Sequence, residues 1–329
     1  MRPFKYTRAS TVDSAARVVT ANPSAKFLAG GTNILDLMKE DVERPNELVD
    51  LTRLKLAEIK AAPGGGVTIG ALSKNTDTAN HPLIRQNYPL LTQAIVAGAS
   101  GQLRNMATNG GNLMQRTRCQ YFYDTALPCN KRELGTGCGA LEGLNRNHAI
   151  FGWSEKCVAT YPGDMANALY ALEAVVRVRG AQERERTIPI GDFHRLPGDT
   201  PEKDNNLQHG ELITAIELPK SPFAKNSYYL KVRDRASYAF ALVAVAAALD
   251  LNGGTIRQAR VVLGGVAHKP WRSLEAESAL SGKPASEQTF KQAAELALRD
   301  AKPLAHNAYK VELGKRAIVR ALMRASRLA

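Results

Sequence analysis

The sequence predicts a mixed α+β protein of two or three domains, and three observations carry that reading. At 329 residues the chain exceeds a typical domain of ~100–200 residues and has ample length to bury a core. Its apolar stretches switch repeatedly between helical spacing and short strand-like runs. A polar interruption containing Pro222, from Lys220 to Lys225, divides an earlier mixed region from a later one in which strands precede helices.

Composition narrows the function classes. Apolar residues at 44% and charged residues at 23% are those of an ordinary soluble protein. Net charge is +13, from 44 basic and 31 acidic residues. Aromatics are sparse at 6%, and Lys and Arg are spread along the chain without a nucleic-acid-binding motif. No nucleic acid is expected; an acidic protein partner is. Met1 to Arg8 has no apolar run after its charges, so no signal peptide is expected. The longest apolar run, Tyr238 to Leu249, is too short to span a bilayer, so no membrane insertion is expected.

The elements follow in order. Val12, Ala15, Ala16, Val18 and Val19 sit at helical spacing after the capping pair Ser10-Thr11. Lys26-Phe27-Leu28-Ala29 reads as a strand, followed by Gly30-Gly31-Thr32-Asn33 and a helix from Ile34 to Lys39. Strand, glycine pair and helix start make an anion site or a tight turn. The glycines do not form G-x-G-x-x-G, so a Rossmann dinucleotide site is not supported. Strands are expected at 48–51 and 66–70, about a turn at Pro63 to Gly66, and a helix at 90–98. Thr108-Asn109-Gly110-Gly111-Asn112 supplies a second glycine turn; two such turns could close on one diphosphate from two sides. Asp164 falls at the start of a helix, where a capping role is the plain alternative to a functional one. Strands at 174–178 and 211–219 flank a Pro- and Gly-containing loop from Leu196 to Gly210. Beyond the interruption come strands near 227–232, 239–250 and 257–266, then helices near 286–299 and 308–327. No Ser/His/Asp or paired-carboxylate arrangement stands out, so hydrolysis is not expected.

All four cysteines, Cys119, Cys129, Cys138 and Cys157, lie in one short loop-like stretch with the spacing C-x9-C-x8-C-x18-C. Four thiols in a loop can wrap an iron–sulfur cluster, a zinc ion or two disulfides. No C-x2-C pair is present, and the spacing leaves these alternatives open.

Several of these segments together resemble the flavoprotein subunits of the xanthine dehydrogenase and carbon monoxide dehydrogenase family. They are Lys26-Phe27-Leu28-Ala29-Gly30-Gly31-Thr32-Asn33-Ile34, Thr108-Asn109-Gly110-Gly111-Asn112, Gly163-Asp164-Met165 and Tyr229-Leu230-Lys231. His306 to Val311 resembles the family's closing motif. The cysteine stretch, Lys231 to Phe240 and Gly264 to Arg272 are similar to the aldehyde oxidoreductase branch, whose flavin subunit carries its own 4Fe–4S cluster. The 4-hydroxybenzoyl-CoA reductase branch holds its cluster in a differently placed insertion.

The resemblance implies a two-subdomain FAD-binding fold of the PCMH/VAO type followed by a C-terminal α+β domain like that of CO dehydrogenase flavoproteins. Expected boundaries are 1–60, 61–222 with the cysteine loop at 115–160, and 223–329. It implies that residues 26–34 and 108–112 wrap the FAD diphosphate and ribityl chain, and that Asp164 accepts from a ribityl hydroxyl. Ile213 and Lys231 would flank the isoalloxazine. Cys119, Cys129, Cys138 and Cys157 would ligate the cluster, whose potential Arg116, Arg118, Lys131 and Arg132 would raise. No catalytic acid or base is expected in this chain. The implied assembly is a heterotrimeric oxidoreductase with a 2Fe–2S subunit and a molybdenum cofactor subunit, passing electrons from an aldehyde to an external acceptor such as an acidic ferredoxin-like protein. Other molybdenum hydroxylases, or a flavoprotein with a structural zinc or disulfide loop, are the alternatives. Residence would be periplasmic, with the folded complex exported on a partner's twin-arginine signal, or cytoplasmic if the partner lacks one.

Overall fold

The computed structural model describes residues 1–328 and divides the strands among three sheets. The first is parallel, with Glu47–Asp50 between Lys5–Arg8 and Ala25–Leu28. Its central strand is wholly buried, which is why Leu48 and Val49 were legible as a strand while the exposed Lys5–Arg8 was not. The helix Val12–Ala21 covers it, with Ala15, Ala16 and Val19 inward and a capping box between Thr11 and Ser14 at its start.

The second sheet is antiparallel, in the order Ile59–Ala61, Val67–Gly70, Leu212–Leu218, Val175–Arg179, Glu185–Pro189. Ile59–Ala61 belongs to this sheet, so the boundary expected between residues 60 and 61 falls inside a strand. Pro89–Ala97 and Met165–Ala171 bury Leu90, Leu91, Met165 and Leu169 against Ile69, Val176 and Ile216 in one core. Burying each such side chain stabilises by about 1.5–3 kcal/mol.

The third sheet, also antiparallel, runs Trp271–Arg272, Thr255–Gly264, Val243–Asn252, Ser227–Val232. The uninterrupted apolar run in Val243–Asn252 has a simple cause: both faces are covered. Val243, Val245, Ala247 and Leu249 face the helices Leu274–Leu280, Glu287–Leu298 and Tyr309–Ala325, while Ala244, Ala246 and Ala248 complete the core of the second sheet. The C-terminal unit is thereby fixed against the middle one. Between residues 114 and 164 the backbone is irregular apart from the short helix Gln120–Tyr123. Among the described residues, no helix is long and apolar enough to cross a membrane.

Candidate functional site

The two glycine turns lie side by side, because the backbone of one rests on the segment that leads into the other. A Cβ on Gly30 would stand 2.2 Å from the carbonyl oxygen of Met106, so only glycine allows this approach. The second turn is held from below by amides. Asn75 Nδ2 donates to Asn109 Oδ1 (2.8 Å), Asn109 Nδ2 to Thr78 Oγ1 (2.7 Å), and Asn112 Nδ2 to Asn75 Oδ1 (3.0 Å). Thr108 Oγ1 accepts from Gly111 N–H and caps the turn. Tyr161 donates from its hydroxyl to the carbonyl of Asn112 (3.1 Å).

Two cavities meet at these turns. The larger, about 650 Å³, lies between the glycine turns, the helix Pro89–Ala97 and the segment that begins at Lys231, and is lined by Asn112, Asp164, Lys231, Arg118, Tyr238 and Phe240 among others. The smaller, about 240 Å³, lies toward the first sheet and is lined by Lys26, Phe27, Ala29 to Ile34, Thr108, Gly110, Leu212 and Ile213. Thr32, Asn33 and Gly111 line both. Leu28 and Asn109 line neither cavity; Leu28 ends a strand and Asn109 is fully buried beneath its turn.

One feature of the junction calls for a ligand. The buried amide nitrogen of Asn33 has no hydrogen-bond partner, although its oxygen accepts from the N–H of Arg116 (2.9 Å). Among the described residues, the backbone N–H groups of Gly30, Gly31, Thr32 and Asn33 likewise donate to no protein acceptor. Unpaired donors so placed suit an anionic ligand passing over the turns.

Ile213 and Lys231 line different cavities, Ile213 the smaller and Lys231 the larger. Their strands belong to different sheets, and the glycine turns lie between them. Asp164 makes no side-chain capping bond. Its carboxylate instead accepts from Lys231 Nζ (2.7 Å) and from the hydroxyl of buried Tyr229 (2.7 Å), which leaves lone pairs toward the larger cavity. Asn75, which supports the second turn, carries no motif that sequence reading could have flagged.

The four cysteines converge. All are free, and all line one small enclosed space together with Tyr121, Phe122 and Lys131. Free space between the thiols is about 10 Å³, barely that of one water, so they are drawn close and a larger group requires them to spread. Among the described residues, no three His, Cys, Asp or Glu side chains stand ready to hold a metal ion as they are. Burial is the largest influence on Cys119 and pushes its thiol up to about 12. Cys138, hydrogen-bonded by Cys157, is drawn down to about 6, while Cys157 is pushed well up. His148 Nε2 lies 3.1 Å from Cys119 Sγ; neither glycine turns nor cysteine spacing pointed to this histidine.

The cationic residues near the thiols also hold partners of their own, and the charge of Lys131 still acts on Cys157, drawing its thiol downward against burial. Arg116 pairs with Glu43 (2.5 Å) and Asp204 (2.7 Å), Lys131 with Asp204 (2.5 Å), and Arg118 with Asp36 (3.0 Å). Arg132 donates to the carbonyls of Tyr121, Phe122 and Leu127. Burial alone would raise the Asp204 carboxyl, but Arg116 and Lys131 outweigh it and hold the group down at about 2. Its stabilising effect is thus complete above the ordinary carboxylate range and is lost as pH falls toward 2. Asp204→Asn leaves buried Lys131 without its counter-charge and is expected to cost about 3–5 kcal/mol. Thermal melts will show a lower Tm at neutral pH and a weaker fall in Tm below about pH 4 than the parent.

Comparisons with known proteins give the family of this chain. Residues 2–221 match the family described as the FAD binding domain in molybdopterin dehydrogenase, and residues 228–325 match the CO dehydrogenase flavoprotein C-terminal domain. The chain is 49% identical over 326 residues to the aldehyde oxidoreductase FAD-binding subunit PaoB of Escherichia coli, covering 99% of each. It is 28% identical to the glyceraldehyde dehydrogenase medium chain of Sulfolobus acidocaldarius, covering 88% of this chain and 84% of that one. Among solved structures, a Cu,Mo-CO dehydrogenase chain superposes with a TM-score of 0.78 at 24% identity over 100% of both chains, which speaks to the fold alone.

Proposed function

Since the chain belongs to the FAD-binding subunits of molybdopterin dehydrogenases, we propose that it is the FAD- and 4Fe–4S-carrying electron-transfer subunit of a molybdenum-dependent aldehyde oxidoreductase. The observation that carries the flavin half is the pair of cavities meeting at two glycine turns, with the orphaned Asn33 amide at their junction. Bound FAD supplies a store for electrons drawn from the aldehyde in a partner chain and released to an external acceptor.

The residues of this chain bind, orient and exclude water. Asn33 and the N–H groups of Gly30 to Asn33 would hold the diphosphate, with Thr108 to Asn112 closing from the other side. The larger cavity has room for the three-ring isoalloxazine, and Asp164 would orient the ribityl chain there. Lys231, held by Asp164, would place a positive charge beside a ring bound in this cavity and so favour extra electron density on it. Phe27, Leu212 and Ile213 would cover the adenine in the smaller cavity and keep water from it.

For the cluster, the donor set fits in kind: four buried or half-buried free thiols facing one space. A cluster supplies one-electron storage and the ferric charge that a buried thiolate requires. Cys119, Cys129, Cys138 and Cys157 would be its ligands. The segment that bears them is clipped to the rest of the chain at several places. Phe122 packs on Leu37, Lys131 bonds Asp204, and Asn307 with Lys310 bonds the carbonyl of His148.

The partners are a 2Fe–2S subunit and a molybdenum cofactor subunit. Residence in the periplasm, reached as a folded complex on a partner's twin-arginine signal, belongs to the same proposal, and cell fractionation of the tagged complex tests it. Cofactor analysis tests the rest. The complex purified without oxygen is expected to hold FAD in both the parent and Cys138→Ser, with about four irons and four sulfides fewer per trimer in the variant. Equal iron in both would remove the cluster while leaving the flavin.

A further inference from the structure

We infer that an arginine-lined groove beside the larger cavity is the docking surface for an acidic one-electron carrier protein; this rests on the flavin reading above and gives the external acceptor a place. The groove, about 600 Å³, lies between the end of the strand Ser227–Val232 with the residues after it and the helix Tyr309–Ala325. Arg233, Arg235, Arg316 and Arg320 line it.

Most of its charge is uncompensated from within. Arg233 donates only to the carbonyl of Ala97 (3.1 Å), and Arg235 to the carbonyl of Tyr238 (3.1 Å), so neither is neutralised. Arg320 makes no ion pair with any described residue, and Arg316 meets only exposed Glu312 (2.7 Å). The one acid in the lining, Asp234, is already taken by both arms of Arg146 (3.0 and 2.9 Å). Three guanidiniums without an acidic partner, and a fourth paired only with a solvent-exposed glutamate, attract a partner with clustered carboxylates and steer its approach.

The position of the groove selects a redox partner. Lys231 and Arg235 line both the groove and the larger cavity, so one thin wall separates a docked protein from the ring site. Arg235, Arg316 and Arg320 are exposed, and the groove is too open to enclose a small ligand as a cofactor pocket does. Oxidation of one aldehyde by water to its acid releases two electrons and two protons. Two carrier molecules therefore each take one electron per turnover, and the protons pass to solvent.

The test uses the purified complex with an aldehyde and two forms of one haem carrier: native cytochrome c, which is basic, and succinylated cytochrome c, which is acidic. At low ionic strength the parent is expected to reduce the acidic form about tenfold faster or more, with that preference collapsing as salt is added. In Arg316→Glu/Arg320→Glu the preference is expected to vanish or invert, while benzoquinone reduction, flavin content and subunit composition hold. A parent without preference overturns the inference, as does a variant that keeps it. Loss of a partner subunit from the variant overturns it too, since the groove would then be an interface within the complex. A parent complex devoid of flavin would instead strike the underlying reading, before any variant is made.

Discussion

Gly30→Ala is expected to yield a folded complex that has lost most of its flavin. The new methyl would lie 2.2 Å from the carbonyl oxygen of Met106, 2.9 Å from its carbonyl carbon and 3.1 Å from the Cα of Ala107. All three are backbone atoms, so no rotamer change relieves the overlap. The turn at 30–34 must move away from the segment that enters 108–112, and the junction of the two cavities opens. Overpacking of this kind costs about 1–3 kcal/mol, which becomes roughly a 10- to 100-fold weaker hold on a ligand that needs both turns. Flavin absorbance against protein in the purified complex reads the result. Gly101→Ala is the control, because a Cβ there meets nothing within 4 Å and its flavin content is expected to stay at the parent level.

Lys231→Met is expected to destabilise the chain by about 3–5 kcal/mol and to weaken flavin retention with it. The Lys231 and Asp164 side chains are only 3% and 8% exposed and meet at 2.7 Å. Removing the amine strands a buried carboxylate that keeps only the neutral Tyr229 hydroxyl, at 2.7 Å, as a side-chain donor. The double variant Lys231→Met/Asp164→Leu separates the two effects. Replacing a buried pair by apolar groups is close to neutral for folding, so urea unfolding should return most of the lost stability. Flavin content should not return, because the double variant still lacks the cation beside the ring site. Recovery of both would reduce the pair to a structural role.

The contrast between what the sequence disclosed and what it hid follows from burial and locality. The turn at Gly30-Gly31 and the helix Ile34–Lys39 were readable because strand, glycine pair and apolar spacing are consecutive in the chain. Leu212–Leu218 and Ser227–Val232 were readable because their apolar residues are bounded by polar breaks. The exposed Lys5–Arg8 and the short Asn75–Asn80 carry too little apolar contrast to be seen. The family resemblance named Lys231 and Ile213, but only the packing of separate sheets reveals that they face different cavities. The cysteine spacing left cluster, zinc and disulfides open, since convergence of four thiols is decided by a loop with almost no regular structure. Likewise, the sequence does not show that Glu43, Asp36 and Asp204 reach Arg116, Arg118 and Lys131 from far along the chain.

The most direct test of the account is anaerobic rapid mixing of the purified complex with an aldehyde while flavin absorbance is followed. The account predicts that the flavin bleaches at least as fast as the complex turns over with an external acceptor, and that Gly30→Ala, short of flavin, loses acceptor reduction in proportion. A flavin that stays oxidised during turnover, or a complex that reduces its acceptor at full rate without flavin, would contradict it.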